Sequence, residues 1–326
     1  MKKNRSILEP YRDELIALQK AGRSYRSLAE WVFQEKGVRV SHNAVFHFLT
    51  HNASKSCGLF FEGFPSDIQD GLIRQLTALW THDSTAIEGN TLTLGETIKV
   101  LELGLTISGK SLKDHEEVYG HAKAIELIYE LIKRKRIEPE DLFNLHRCVM
   151  QKSAIDSLRP VGDWKRDYNG TTGVRDGMPV YVEYASPSDT PHLMTRWLKE
   201  FNRKLEHAGS PTKAINVYTW AHFSFVRIHP FFDGNGRVAR LIANLPLLRS
   251  GQPPILIPEE RRAEYIDLLW SYQNEVGVIR SKDRLLPPGE QINTFKKMIK
   301  GEWQTVQNLV NDARIQAQQR EGKDGQ

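Results

Sequence analysis

The richest chemistry in the chain lies in the twelve residues His229-Pro-Phe-Phe-Asp-Gly-Asn-Gly-Arg-Val-Ala-Arg240. His229 follows an apolar helix end, Phe225-Val-Arg-Ile228, and can take a proton near neutral pH. Pro230 stops that helix, and one of Phe231 and Phe232 is expected to plug the loop into the core. Asp233-Gly-Asn-Gly236 places two glycines in four residues, so the main chain can approach a ligand closely. A helix opens immediately afterwards, with Leu241, Ile242 and Leu245 inward. Free N–H groups of Gly234, Asn235 and Gly236 at the positive end of a helix dipole form an anion hole suited to phosphate. Arg237 and Arg240 lie three apart on one helix face, and two guanidinium groups suit a polyphosphate. Asp233 is a hard oxygen ligand of the kind that holds Mg²⁺ against phosphates. The pattern describes a nucleoside triphosphate site with a base beside it. No G-x-x-x-x-G-K-[S/T] loop or protein-kinase motif set is present.

The elements that must position this loop read as mainly helical. Helices are predicted around Ile68, Leu72, Leu76 and Leu79; after a capping box at Thr93-Leu-Gly-Glu96, through Ile98, Leu101 and Leu103; and over 111–135 and 139–151. They resume at 190–206, 212–228, 235–250, 259–273 and 290–311, with Pro246 dividing the one after the motif. A single β-hairpin is expected over Thr171–Val182, turning at Asp176-Gly177.

Residues 1–52 read as a separate three-helix unit of helix-turn-helix type. Leu8, Leu15, Ile16 and Leu18 mark a first helix, ended by Gly22. Ser24 caps a second, with Leu28, Ala29, Val32 and Phe33 on one face. Ser41 caps a third, which buries Val45, Phe48 and Leu49 and presents Asn43, His47 and Thr50, with Arg39 just ahead. These groups can meet bases or phosphates of DNA, although a docking or dimerisation module has the same pattern. Residues 1–52 hold 9 Lys/Arg against 5 Asp/Glu, which accounts for most of the net charge of +5. Residues 53–65 read as a linker, 66–280 as the main body, and 281–326 as a C-terminal helix with a polar tail that frays from about Asp312. Membrane insertion is not expected, because no apolar run approaches about 18 residues. Cys57 and Cys148 form neither a CxxC pair nor a metal-ligand spacing, and no secretory pattern follows the basic N-terminus, so a cytoplasmic location is expected.

The run His229-Pro-Phe-x-Asp-Gly-Asn-Gly-Arg-x-x-Arg240 resembles, without departure, the motif of the Fic-domain proteins that transfer AMP onto protein hydroxyls. The resemblance implies a Fic-type helical fold with ATP and Mg²⁺ as cofactors. His229 is then the base that deprotonates a target Ser, Thr or Tyr, Phe231 the anchor and Asp233 the metal ligand. Gly234, Asn235 and Gly236 hold the α- and β-phosphates, Arg237 phosphate oxygens and Arg240 the γ-phosphate. The hairpin stands where the family has a flap that pins an extended target segment by strand addition, which puts Thr172, Gly173, Val174 and Arg175 at the nucleotide. By position alone, Tyr265 and Asn274 fall at the adenine pocket.

Ser84-Thr-Ala-Ile-Glu88-Gly-Asn90 resembles the same family's inhibitory motif, in which the glutamate pairs with the second arginine, here Arg240. A carboxylate there takes the γ-phosphate's partner and acts in cis or across a close homodimer. In some relatives the same glutamate helps water remove AMP, so a reverse hydrolase activity is also implied. A competing reading is a DNA-binding transcriptional regulator whose Fic body only senses nucleotide, but an intact His229 and Asp233 argue against a pure sensor. A Mg²⁺-dependent phosphohydrolase is a third reading, against which the flap counts.

Overall fold

The computed structural model describes residues 7–11, 14–15, 17–18, 23, 25–41, 44–45, 58–151 and 158–324. The chain divides into two compact units, Met1–Gly58 and Leu59–Gln326.

In the first unit, helix α1 (Tyr25–Lys36) contributes Leu28, Ala29 and Val32 to a small core with Leu8, Leu15 and Val45. Phe33 departs from the expected apolar face: it is exposed, and the Arg39 guanidinium lies 5.1 Å from its ring centre. Ser41 does cap the chain that follows, its Oγ accepting the Ala44 N–H at 3.1 Å. The expected stop at Gly22, the cap at Ser24, and Asn43, His47, Phe48, Leu49 and Thr50 lie outside the described residues.

The second unit is helical apart from one hairpin. Its helices begin with α2 (Ser66–Ala86), α3 (Leu94–Leu103), α4 (Leu112–Leu131) and α5 (Pro139–Met150). Strands β1 (Gly170–Arg175) and β2 (Met178–Glu183) pair antiparallel, with Thr171 opposite Val182. Asp176 and Gly177 both take positive φ, 53° and 76°, the conformation a two-residue hairpin turn demands. Then come α6 (Thr190–Leu205), α7 (Pro211–Ile228), α8 (Asn235–Ile242), α9 (Leu245–Arg249), α10 (Arg262–Val276) and α11 (Glu290–Asp324).

The core gathers around α7, whose side chains from Ala221 to Ile228 are all buried. A helix buried on every side is a fixed post, and α7 ends at His229. The predicted helix over 235–250 divides as Pro246 requires. The Asn244 amide bridges the break, donating to the carbonyls of Arg240 and Ile255 at 3.0 and 2.9 Å.

Three expectations change. Phe60 and Phe61 are buried in the main core, so the last part of the expected linker belongs to the body. In α3 the buried positions are Thr97 and Val100, whereas Leu103 is exposed, because the helix lies at the edge of the core. The expected polar tail continues α11 as helix through Asp324, after Phe295, Ile299, Val306 and Val310 have anchored that helix in the core.

Candidate active site

His229 ends α7 with φ 54°, a left-handed conformation that a residue with a side chain adopts only when its neighbours impose it. Its Nδ1 lies 3.1 Å from the Val226 carbonyl, which only accepts, so Nδ1 carries the proton and Nε2 keeps its lone pair. The ring stacks on Tyr184, centres 3.7 Å apart and planes within 3°. Burial, aided by the nearby Lys165 ammonium, pushes the imidazole pKa down to about 3, so it is neutral at physiological pH.

Beyond it, Phe231 is the plug: it is fully buried, stacked on His146 at 3.9 Å and 8°, and edged by Phe143. Phe232 stays partly exposed under the Arg159 guanidinium. His146 also fixes the loop. Its Nδ1 accepts the Gly162 N–H at 2.9 Å, so its Nε2–H is the donor to the Asp233 carbonyl at 3.1 Å. The Asn235 side chain closes the loop on itself, exchanging bonds of 2.9 and 2.8 Å with the Phe231 N–H and carbonyl. Asn235 therefore offers a ligand only its backbone.

Gly234 precedes α8 at φ 76°, and a Cβ there would stand 2.7 Å from the Met150 sulfur. The first intrahelical bond of α8 runs from the Val238 N–H to the Gly234 carbonyl, 3.1 Å. Gly236 and Arg237 precede that bond, so their N–H groups have no carbonyl one turn back to satisfy them. Asp233 is exposed at the cleft mouth, with Oδ1 accepting the Gly234 N–H at 2.7 Å.

The two arginines part company. Arg240, 3% exposed, donates to Ser84 Oγ at 3.0 Å, the Ser84 carbonyl at 2.8 Å, Tyr265 OH at 3.2 Å and Glu88 Oε1 at 2.7 Å. Burial disfavours its charge, but the Tyr265 and Glu88 oxygens more than compensate and hold its pKa above the ordinary arginine value. Arg237 turns from the cleft toward Glu117 Oε1, 3.4 Å away, and the Val149 carbonyl. Sharing a face thus does not bring both guanidinium groups to one anion in this conformation.

Glu88 sits just past the end of α2, which carries Ser84. Its carboxylate lies directly over the glycine loop: a Cβ on Gly236 would be 2.6 Å from Glu88 Oε1. Asn90 works one step away. Its amide donates to the Asp114 carbonyl and to Glu117 Oε2 at 3.0 and 3.1 Å, tying the Glu88 turn to the partner of Arg237.

A cleft of about 220 Å³ remains between these groups, lined by Glu88, Thr171, Tyr184, His229, Asp233, Gly234, Asn235, Gly236, Arg240 and Tyr265. Val226 of α7, Ile266, Leu269 and Trp270 of α10, and Gly170 of the hairpin complete the lining.

Residues 136–247 match the family model described as the Fic/DOC family. Residues 136–247 are thus similar to a Fic/DOC family domain. Over 192 residues the chain is 35% identical to "Protein adenylyltransferase Fic" of Drosophila persimilis, a match covering 58% of this chain and 34% of the relative. The namesake of Drosophila virilis is 36% identical over 192 residues, again 58% of this chain and 36% of the relative. The match thus spans about a third of the length of these curated relatives. Among solved structures, a Fic-domain-containing signalling protein from Bacteroides thetaiotaomicron superposes with TM-score 0.65 at 26% identity, covering 81% of this chain and 95% of that one. Fic-1 from C. elegans gives TM-score 0.57 at 27% identity, over 81% and 69% of the two chains.

His229, Asp233, Gly234, Asn235, Gly236 and Arg240 of the matched segment converge on one cleft with Glu88 and Tyr265, which lie outside it. Ser84 joins them through Arg240. On the hairpin it is Gly170 and Thr171 that line the cleft, whereas Thr172, Val174 and Arg175 are exposed. Gly173 instead packs on Trp270, so closely that a Cβ would fall 2.0 Å from the indole. Asn274 is absent from the lining: it shares a helix face with Ile266 and Trp270 but lies one turn farther along α10, past the end of the cleft. Sequence reasoning passed over His146, Tyr184, Lys165, Glu117 and Trp270, each brought in from a different element. Lys165 carried a faint signal, a charged residue beside Trp164 in an otherwise turn-like stretch.

Proposed function

We propose that the Fic domain transfers AMP from ATP to a Ser, Thr or Tyr hydroxyl of a protein, and that Glu88 holds it in check. The observation that carries this reading is the Arg240–Glu88 ion pair, 2.7 Å long and lying across a loop built to bind phosphate. The pair takes the strongest cation in the cleft, and its carboxylate repels a triphosphate's last group. The relatives' printed name, protein adenylyltransferase, agrees with the reading.

Mg²⁺ fits the residues present. No group of three His, Cys, Asp or Glu side chains gathers among the described residues. Asp233 is then its protein ligand, with phosphates and water supplying the rest, which is the habit of Mg²⁺. Bound there, the ion neutralises phosphate charge. The chain's own groups do the remaining work. The N–H groups of Gly236 and Arg237 cradle phosphate oxygens, and Arg240, freed of Glu88, takes the terminal one. His229 Nε2 accepts the proton of the incoming hydroxyl. Its oxygen bonds to the α-phosphorus while the bond to the β-phosphate oxygen breaks, and pyrophosphate leaves. The exposed edges of β1 and β2 suit an extended target segment that adds a strand.

Incubated with Mg-ATP, Glu88→Gly is expected to gain the mass of AMP at least about tenfold faster than the unsubstituted protein, a step worth about 1.4 kcal/mol. Adding His229→Ala should abolish the gain. Equal labelling of Glu88→Gly and the parent contradicts the brake, and labelling without His229 contradicts the base. Offering other nucleotides in parallel identifies the donor.

We also propose that residues 1–52 contact DNA; their basic surplus and their own apolar core support this. A gel shift of the full chain that Arg39→Glu leaves unchanged counts against it.

A further inference from the structure

The buried ammonium of Lys165 plays no part in the chemistry above, yet its contacts converge on the catalytic loop. Lys165 is 2% exposed. Its Nζ donates to Asn169 Oδ1 at 2.6 Å and reaches the Ile228 carbonyl at 3.5 Å. Its backbone N–H donates to the Pro230 carbonyl at 2.9 Å. One residue thereby grips the carbonyls on both sides of His229. Asn169 extends the grip: its amide donates to the Phe231 and Phe232 carbonyls at 2.8 and 3.3 Å. The Asn169 carbonyl accepts the Tyr184 N–H at 3.1 Å, and Tyr184 is the ring stacked on His229.

We infer that Lys165 is a positioning residue for the transfer reaction, holding the backbone around His229 directly and the loop and the stacked Tyr184 through Asn169. The inference rests on the reading that this loop transfers AMP.

Two physical points separate this role from that of an ordinary core residue. Burying an ammonium costs several kcal/mol, and an apolar side chain of similar length would fill the space without that cost. Burial accordingly pushes the Lys165 pKa down to about 7. What the lysine side chain supplies, and an apolar chain cannot, is a donor between the Asn169 amide oxygen and the Ile228 carbonyl; the backbone bond to Pro230 is one any residue makes. The second point is strain. His229 at φ 54° carries backbone strain, which persists only where the surroundings over-determine the conformation. Bonds at Ile228, Pro230, Phe231 and Phe232 from one Lys–Asn pair provide that over-determination.

The test uses the full chain in the Glu88→Gly background, with Mg-ATP as the probe and AMP incorporated into the protein itself as the readout. Both the labelling rate at saturation and the Mg-ATP concentration giving half that rate are measured. Lys165→Met is expected to lose about 30- to 100-fold in saturating rate, as a misplacement near 1 Å does, with the half-saturating concentration within about threefold. Lys165→Arg, which keeps charge and donors, should stay within about tenfold of the parent, and Asn169→Ala should lose about tenfold or more. A second readout needs no activity. The His229 ring protons, assigned by their absence in His229→Ala, should show an upfield ring-current shift from Tyr184 that relaxes in Lys165→Met.

An unchanged saturating rate in Lys165→Met, a loss carried by the half-saturating concentration, or an unmoved His229 resonance overturns the inference. If Lys165→Met does not fold, Asn169→Ala decides in the same way. If the Glu88→Gly parent incorporates no AMP, the transfer reading itself fails, and the resonance still judges the positioning role.

Discussion

At the scale of single residues, the active loop is held by a division of labour that the motif's letters conceal. Asn235 spends its side chain on Phe231, leaving its backbone facing the cleft. Arg240 is paired with Glu88, whereas Arg237 is paired with Glu117. Phe231 has no chemistry of its own, yet it is packed against His146, Trp164 and Phe225. Phe231→Ala should therefore cost about 3–5 kcal/mol of stability, measured by denaturant unfolding. A loss below about 1 kcal/mol would mean the loop is not anchored there. The twelve-residue motif was legible because its chemistry is local: the backbone cradle, the base and the ligand oxygen follow one another along the chain. His146, Tyr184, Lys165 and Glu117 were not legible, because each acts across long sequence separations through a contact that no spacing encodes.

At the scale of elements, α7 supplies rigidity and the hairpin supplies part of the cleft wall. The helix pattern was readable because apolar positions recur with helical period, and capping signals such as Thr93 and Glu96 proved real, with the capping box present at α3. The Asp176-Gly177 turn was equally readable. What periodicity cannot say is which side of a short two-stranded ribbon meets the body, so Thr172 and Val174 were expected in the cleft while Gly170 and Thr171 occupy it. The contact that sets this side is Gly173 on Trp270. Gly173→Ala places a Cβ inside the indole's space and must lift the strand. In the Glu88→Gly background it should lower AMP incorporation about tenfold or more, with the melting temperature changed little because the ribbon is largely exposed. A variant that labels at the parent rate would show that the flap's seat on α10 is unimportant.

At the scale of the whole molecule, the body buries several histidines in neutral form. Burial drives His222 and His229 down to about 3, and His121, with Arg240 and Arg237 adding to the effect, well below its ordinary range. The unfolded chain takes up protons at these sites near pH 6.5, and the folded chain does not. Stability is therefore complete above that pH and falls as pH drops from about 6.5 toward 3, by up to about 1.4 kcal/mol per pH unit for each histidine. Chemical denaturation at pH 7, 6 and 5 measures this slope. A stability that stays level or rises across that window would contradict neutral burial.

If Glu88 is what withholds Arg240, the loop opening α8 grips a triphosphate once that pair is broken. A crystal structure of Glu88→Gly with Mg²⁺ and a non-hydrolysable ATP analogue tests it most directly. The terminal phosphate should lie on Arg240 where the carboxylate now sits, the inner phosphates on the N–H groups of Gly236 and Arg237, and the α-phosphorus within reach of His229. A nucleotide bound with its phosphates away from this loop would rule out phosphate binding there.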